Sequence, residues 1–168
     1  MNKILRIIFV TAILLSTSAY GSNQDKKTDS SEKKFFELYS TLLSKMSDKW
    51  QPMPITKDRI IYIKANSISL EEGGFRSVWV FISYIDPQEA KQYGKTWLSM
   101  LTLDYIDCYR KTYNSKHVIL FDDQLGEGNI VGEGVLPDTK VRENMLQAQP
   151  GSISEDIIRI ACSNKSEQ

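Results

Sequence analysis

The chain has 168 residues, one histidine, and 21 Lys and Arg balanced by 21 Asp and Glu. That balance argues against a nucleic-acid binder, which needs a basic face to replace counterions along a phosphate backbone. The length suits one domain with one core.

The first 21 residues read as an export signal. Lys3 and Arg6 give a basic start, Ile7 to Leu15 form an apolar run broken only by Thr11, and Ala19-Tyr20-Gly21 places small residues at −3 and −1 of a cleavage point. The run ends in Ser16, Thr17 and Ser18, short of the about 20 apolar residues that a spanning helix needs. Cleavage is therefore expected, with the mature chain starting near Ser22 and no stable membrane span left in it. A bacterial lipid anchor needs a Cys just after the small residues, and the nearest is Cys108, so no lipid attachment is expected. The product belongs to the periplasm, the cell surface or the medium.

Residues 22–31 (SNQDKKTDSS) contain no apolar side chain and read as a flexible leader. Over 32–49 the positions Phe35, Leu38, Leu42 and Met46, joined by Phe36 and Leu43, recur at helical spacing, and Pro52 and Pro54 close that amphipathic helix. The period then changes. Arg59 to Ala65, Phe75 to Asp86 and Thr96 to Arg110 are rich in β-branched and aromatic residues and read as antiparallel strands, with Asp86-Pro87 ending the second. In that second strand Phe75, Ser77, Trp79, Phe81 and Ile85 fall on one face and Val78, Val80, Ile82 and Tyr84 on the other, so the strand is expected to be central and covered on both sides. Lys116 to Asp122 and Asn129 to Leu136 supply two more strands, while Val141 to Gln147 fits strand or helix equally. Ser152 and Glu155 have capping-box spacing, and Ile153, Ile157, Ile160 and Ala161 then form one face of a terminal helix, leaving 164–168 as a polar tail. The fold class is α+β: an antiparallel sheet of five to six strands with a helix at each end of the chain.

Two cysteines in an exported protein most simply form one bridge, Cys108 to Cys162, which ties the terminal helix to the sheet. There is no CxxC, and His117 has no partner histidine, so neither a redox pair nor a metal centre is expected. No cofactor is implied. The glycine-rich run Gly126 to Gly134 lacks the strand-then-helix setting of a phosphate loop and reads as a hairpin or bulged strand. Asp122, Asp123, Glu127 and Glu133 do not match the spacing of a calcium loop. Asp104 and Asp107 lie at odd spacing, on opposite faces of a strand, and make a poor acid and base pair; with no nucleophile signature near His117, an enzyme is not expected. Tyr105, Tyr109 and Tyr113, every fourth residue of one strand, would share a face. With Arg110, Lys111 and Lys116 beside them they would make a basic-aromatic edge suited to a protein partner, an alternative to plain packing against a helix.

The order of these features resembles the surface-adhesin E family over 50–163. The resemblance rests on Trp50, on Ile60-Ile61-Tyr62-Ile63 followed by Asn66-Ser67-Ile68, and on Gly74-Phe75-Arg76-Ser77-Val78-Trp79-Val80. It continues through Asp107-Cys108, Lys111 near Tyr113, and Pro150-Gly151-Ser152 before Cys162. It implies a small, exported, non-enzymatic envelope protein whose relatives bind host matrix or serum proteins such as vitronectin, laminin and plasminogen. The other reading of the same features is a periplasmic structural or assembly factor whose partner is an envelope protein, and an open sheet edge also leaves room for a homo-oligomer.

Overall fold

The computed structural model describes residues 22–46, 49–54 and 56–163. The export signal at 1–21 and the tail at 164–168 lie outside the described residues.

Eight antiparallel strands form one sheet. They are β1 (Gln51–Pro52), β2 (Arg59–Ile63), β3 (Ser69–Leu70), β4 (Arg76–Ala90), β5 (Lys95–Asp107), β6 (Thr112–Phe121), β7 (Ile130–Val135) and β8 (Leu146–Gln147). The order is β1-β2-β4-β5-β6-β7, with β3 added to β4 and β8 added to β6. The five-to-six-strand expectation matches this main path; β3 and β8 are two-residue additions. Among the described residues three α-helices accompany the sheet: α1 (Ser22–Lys45), α2 (Asp138–Glu143) and α3 (Ile153–Ser163).

Alternation along β4 decides how the helices sit, because successive side chains point to opposite faces. Val78 and Val80 face α3 and bury with Ile61, Ile63 and Ile106 against Ile157, Ile158 and Ala161. Phe81 and Ile85 face the other way and bury with Ile60 and Tyr62 under Leu38 and Leu42 of α1. Both faces of the central strand are thus covered, one by each terminal helix. Each such aliphatic side chain contributes roughly 1.5–3 kcal/mol when fully buried. The Cys108–Cys162 disulfide, with Cα atoms 5.7 Å apart and a sequence separation of 54, joins α3 to the end of β5.

α3 begins as its sequence requires. Ser152 Oγ accepts the Glu155 N–H at 3.2 Å, and the Glu155 carboxylate accepts the Gly151 N–H at 2.7 Å, one residue earlier than in the standard box.

Several expectations need correction. α1 starts at Ser22, so 22–31 is helical rather than a leader, and it ends at Lys45 instead of reaching 49. A helix is held by its own backbone bonds and does not stop where apolar contacts stop. Phe36 and Leu43 do not join the buried stripe: they are 66% and 48% exposed, because the sheet meets only the Leu38–Leu42 side. Pro87 does not end β4, which runs on to Ala90; the β4–β5 register shifts between Ser83 and Gln88, and a residue with no N–H fits where the ladder is interrupted. The 137–149 stretch, left open between helix and strand, contains one of each, α2 and β8. The glycine-rich run, as expected, is part of a bulged hairpin, with a register shift at Leu120/Phe121 and Gly126 at φ +71.

Candidate functional site

The three tyrosines do not share a face. β5 ends at Asp107, and residues 108–111 make the turn into β6, closed by the Asp107–Thr112 pair. Tyr105 is 2% exposed, Tyr113 packs against the α3 core, and Tyr109 is 95% exposed at the turn. The predicted face is therefore split in two: Tyr109, Arg110 and Lys111 stand exposed on the turn, while Tyr105 and Lys116 belong to an internal network.

The turn is held from four sides. Asp107 Oδ1 accepts the backbone N–H groups of Tyr109 and Arg110, both at 3.0 Å. This is the local carboxylate-to-backbone bonding by which Asp favours turns. Gln147 Nε2 on β8 donates to the carbonyls of Arg110 at 3.5 Å and Lys111 at 3.3 Å, and Ala148 N–H donates to the Lys111 carbonyl at 3.4 Å. Cys108 is bonded to α3. Lys111 has φ +55, and it alone among the described non-glycine residues takes a positive value. That is the left-handed position of a hairpin turn, where glycine is the unstrained occupant. Arg110 approaches Asp107 only loosely, with Nε 3.9 Å from Oδ2.

The inner half of the predicted face does structural work. Lys116 Nζ donates to Tyr105 Oη at 2.9 Å, pairs with Asp138 Oδ1 at 2.6 Å and lies over the Tyr105 ring at 4.9 Å from its centroid. Tyr105 O–H donates to Glu71 Oε2 at 3.3 Å, and Ser69 and Ser77 hydroxyls donate to Glu71 Oε1 at 2.7 and 2.6 Å. The serine bonds foremost, then Tyr105 and the Lys116 charge, hold the Glu71 carboxyl below its ordinary range against the pull of burial. Asp138, then Tyr105, push the Lys116 ammonium above its ordinary value. The network joins β3, β4, β5, β6 and α2; Tyr105 within it is buried, and Lys116 and Asp138, though partly exposed, are paired with each other.

Asp104 is buried in β5 and accepts the Ser115 hydroxyl at 2.6 Å; burial pushes its carboxyl up, with the Ser115 and Thr102 bonds opposing. His117 lies inside β6 rather than at its start, with Nε2 2.8 Å from Glu133 Oε1 and its ring 5.7 Å from Trp79. Asp122 accepts the backbone and side-chain N–H groups of Asn129, Asp123 accepts the Glu127 N–H, and Glu127 pairs with Lys45. Among the described residues no group of three or more His, Cys, Asp or Glu could hold a metal ion. None of their helices is long and apolar enough to cross a membrane.

Asp107 went unrecognised as the organiser of the turn. An Asp followed two residues later by an exposed Tyr-Arg-Lys run is the signal that could have revealed it.

The sequence model of surface-adhesin protein E matches residues 50–163. The chain belongs to the surface-adhesin protein E family. The matched stretch takes in the whole sheet, α2 and α3, whereas α1 lies before it. Solved structures of Haemophilus influenzae protein E are similar in fold. Crystal form II superposes with a TM-score of 0.52 at 14% identity over 73% of this chain and 93% of that one. The selenomethionine form gives 0.50 at 14% identity over 71% and 89%, and a further structure 0.51 at 13% over 71% and 87%. At such identities the likeness is one of fold. No curated protein sequence matches the chain.

Proposed function

We propose that this chain is a non-enzymatic, exported envelope protein that holds a protein partner through the Tyr109–Arg110–Lys111 turn, in the manner of an adhesin. Membership of the surface-adhesin protein E family supports the class of function. The observation that carries the reading is the 95% exposure of Tyr109 on a turn fixed by Asp107, by β8 and by the disulfide. Tyr and Arg dominate binding energy at protein interfaces, and a contact already rigid before binding loses little entropy when the partner arrives.

The test uses the mature protein immobilised against a panel of extracellular-matrix and serum proteins, alongside its Tyr109→Ala variant. Saturable binding to one of them, lost in the variant, is expected. No binding by the wild-type protein, or binding indifferent to Tyr109, sinks the proposal. Protease treatment of intact cells decides the compartment: a surface adhesin is cut, and a periplasmic assembly factor survives.

A further inference from the structure

We infer that the partner segment seated on the turn is an acidic stretch of protein whose carboxylates meet Arg110 and Lys111 while an apolar group packs on the Tyr109 ring. This rests on the proposed binding role of the turn and names the chemistry of its ligand.

The charge of the turn favours an acidic partner. Arg110 and Lys111 are both exposed, and Asp107 is the one acid between 107 and 112. Its Oδ1 is already committed to two backbone amides, and its approach to Arg110 is long at 3.9 Å. β8, which lines the turn, adds Leu146 and Gln147, both uncharged. The patch, with two cations to one acid, is therefore net positive, and interfaces place the opposite sign across from it because like charges are costly there.

The backbone conformation of the turn points the same way. Lys111 sits at φ +55, where glycine would relieve the strain of a Cβ. A long cationic side chain stands at a position whose geometry favours glycine, and a strained residue at an exposed turn points from structure toward function. The same turn projects Lys111 beside Arg110, so two cations and an aromatic ring leave the sheet at one place.

Protein is favoured over a polyanionic chain by number. Two cations in a molecule of balanced charge cannot replace the counterions of a nucleic acid or a sulfated polysaccharide, which needs a run of basic residues. Tyr beside Arg is the pairing enriched at protein interfaces.

The probe is a fluorescein-labelled peptide of fifteen residues rich in Glu and Asp with one Leu and one Phe, compared with a counterpart carrying Lys at the acidic positions. Anisotropy with the mature protein should show saturable binding of the acidic peptide alone, weakened by salt. Arg110→Glu and Tyr109→Ala should each reduce affinity by about tenfold or more, the scale of an interface hot spot. Lys111→Gly should weaken binding while the thermal midpoint holds or rises, an outcome that a merely structural lysine would not give. The inference is overturned if the acidic peptide does not bind, if the Lys peptide binds equally, if the turn variants change nothing, or if heparin binds through the turn in place of the peptide. Failure of the inference is distinguishable from failure of the proposed function. A host partner lost with Tyr109→Ala but not displaced by the acidic peptide removes this inference alone, whereas a partner indifferent to Tyr109 removes the turn as the site.

Discussion

Asp107 and Tyr109 are joined by one 3.0 Å bond from the Tyr109 backbone N–H to the Asp107 carboxylate, and the Tyr109 ring beyond that bond is 95% exposed. The backbone is fixed where the side chain is free of the fold. Asp107→Ala removes the acceptor of two amides in a turn that water can reach, so the expected loss of stability is small, about 1 kcal/mol. Order in the turn should suffer more. Hydrogen exchange at Tyr109 and Arg110 is expected to accelerate strongly in the Ala variant and to recover in Asp107→Asn, which keeps an acceptor oxygen. Equal protection in all three proteins would show that β8 and the disulfide hold the turn without Asp107.

The Cys108–Cys162 bridge closes a separation of 54 residues. On the chain-entropy account a loop of that size is worth roughly 4 kcal/mol, through restriction of the unfolded chain. Replacing both cysteines with Ala should lower the denaturant midpoint accordingly. α3 should remain docked in the native state, since Ile157, Ile158 and Ala161 bury independently of the bond. A midpoint unchanged from that of the oxidised parent would contradict the assignment of this stabilisation to the bridge.

Side-chain alternation made the centre of the fold legible. The two apolar faces of β4 were readable from Val78, Val80 and Phe81, and the structure covers each with a helix. The capping residues of α3 and the cysteine pairing were equally readable, because each depends on local chemistry or on a count of two. The β5–β6 turn was not. Between Asp107 and Thr112 there is no Gly, Pro or Asn, and the left-handed position is taken by Lys111, so the strand pattern ran on through the turn and aligned three tyrosines that the hairpin separates. The Glu71–Tyr105–Lys116–Asp138 network was hidden for a different reason: its members come from a loop, two strands and a helix far apart in sequence, and no spacing rule connects them.

Asp104 gives a pH dependence with a definite sign. Burial raises its carboxyl above the ordinary Asp value, so the folded state holds this proton more tightly than the unfolded chain does. Its contribution is fully favourable below the unfolded pKa and declines as pH rises through the folded one. Asp104→Asn keeps an oxygen for the Ser115 hydroxyl and carries no charge, so it should raise the thermal midpoint at pH 7. The advantage should shrink as pH is lowered towards 4, near the ordinary Asp value. A constant difference across the range would rule out ionisation of Asp104 as the cause.

α1 lies before the family-matched residues and meets the sheet through little more than Leu38 and Leu42, with Phe35 and Tyr39 beside them and Met46 just past its end. Its ion pair, Lys45 to Glu127 at 2.7 Å, is solvent-exposed on both sides and adds little. Leu42 is 1% exposed, and trimming such a leucine to Ala ordinarily costs about 2–5 kcal/mol. Here the loss can stop at the docking energy of the helix, because α3 and the opposite face form a separate cluster. Leu42→Ala should therefore speed amide exchange in α1 while leaving β4 and β5 protected. Tyr62 supplies a second readout: its hydroxyl is buried with no hydrogen-bond partner among the described residues, and burial, then Tyr39, raises its pKa. Release of α1 lets water reach that hydroxyl, so ultraviolet titration should find Tyr62 ionising closer to its ordinary value in the variant. If α1 and the β4–β5 pair lose protection together and by the same amount, the helix is an integral part of one cooperative unit and not a separately docked element.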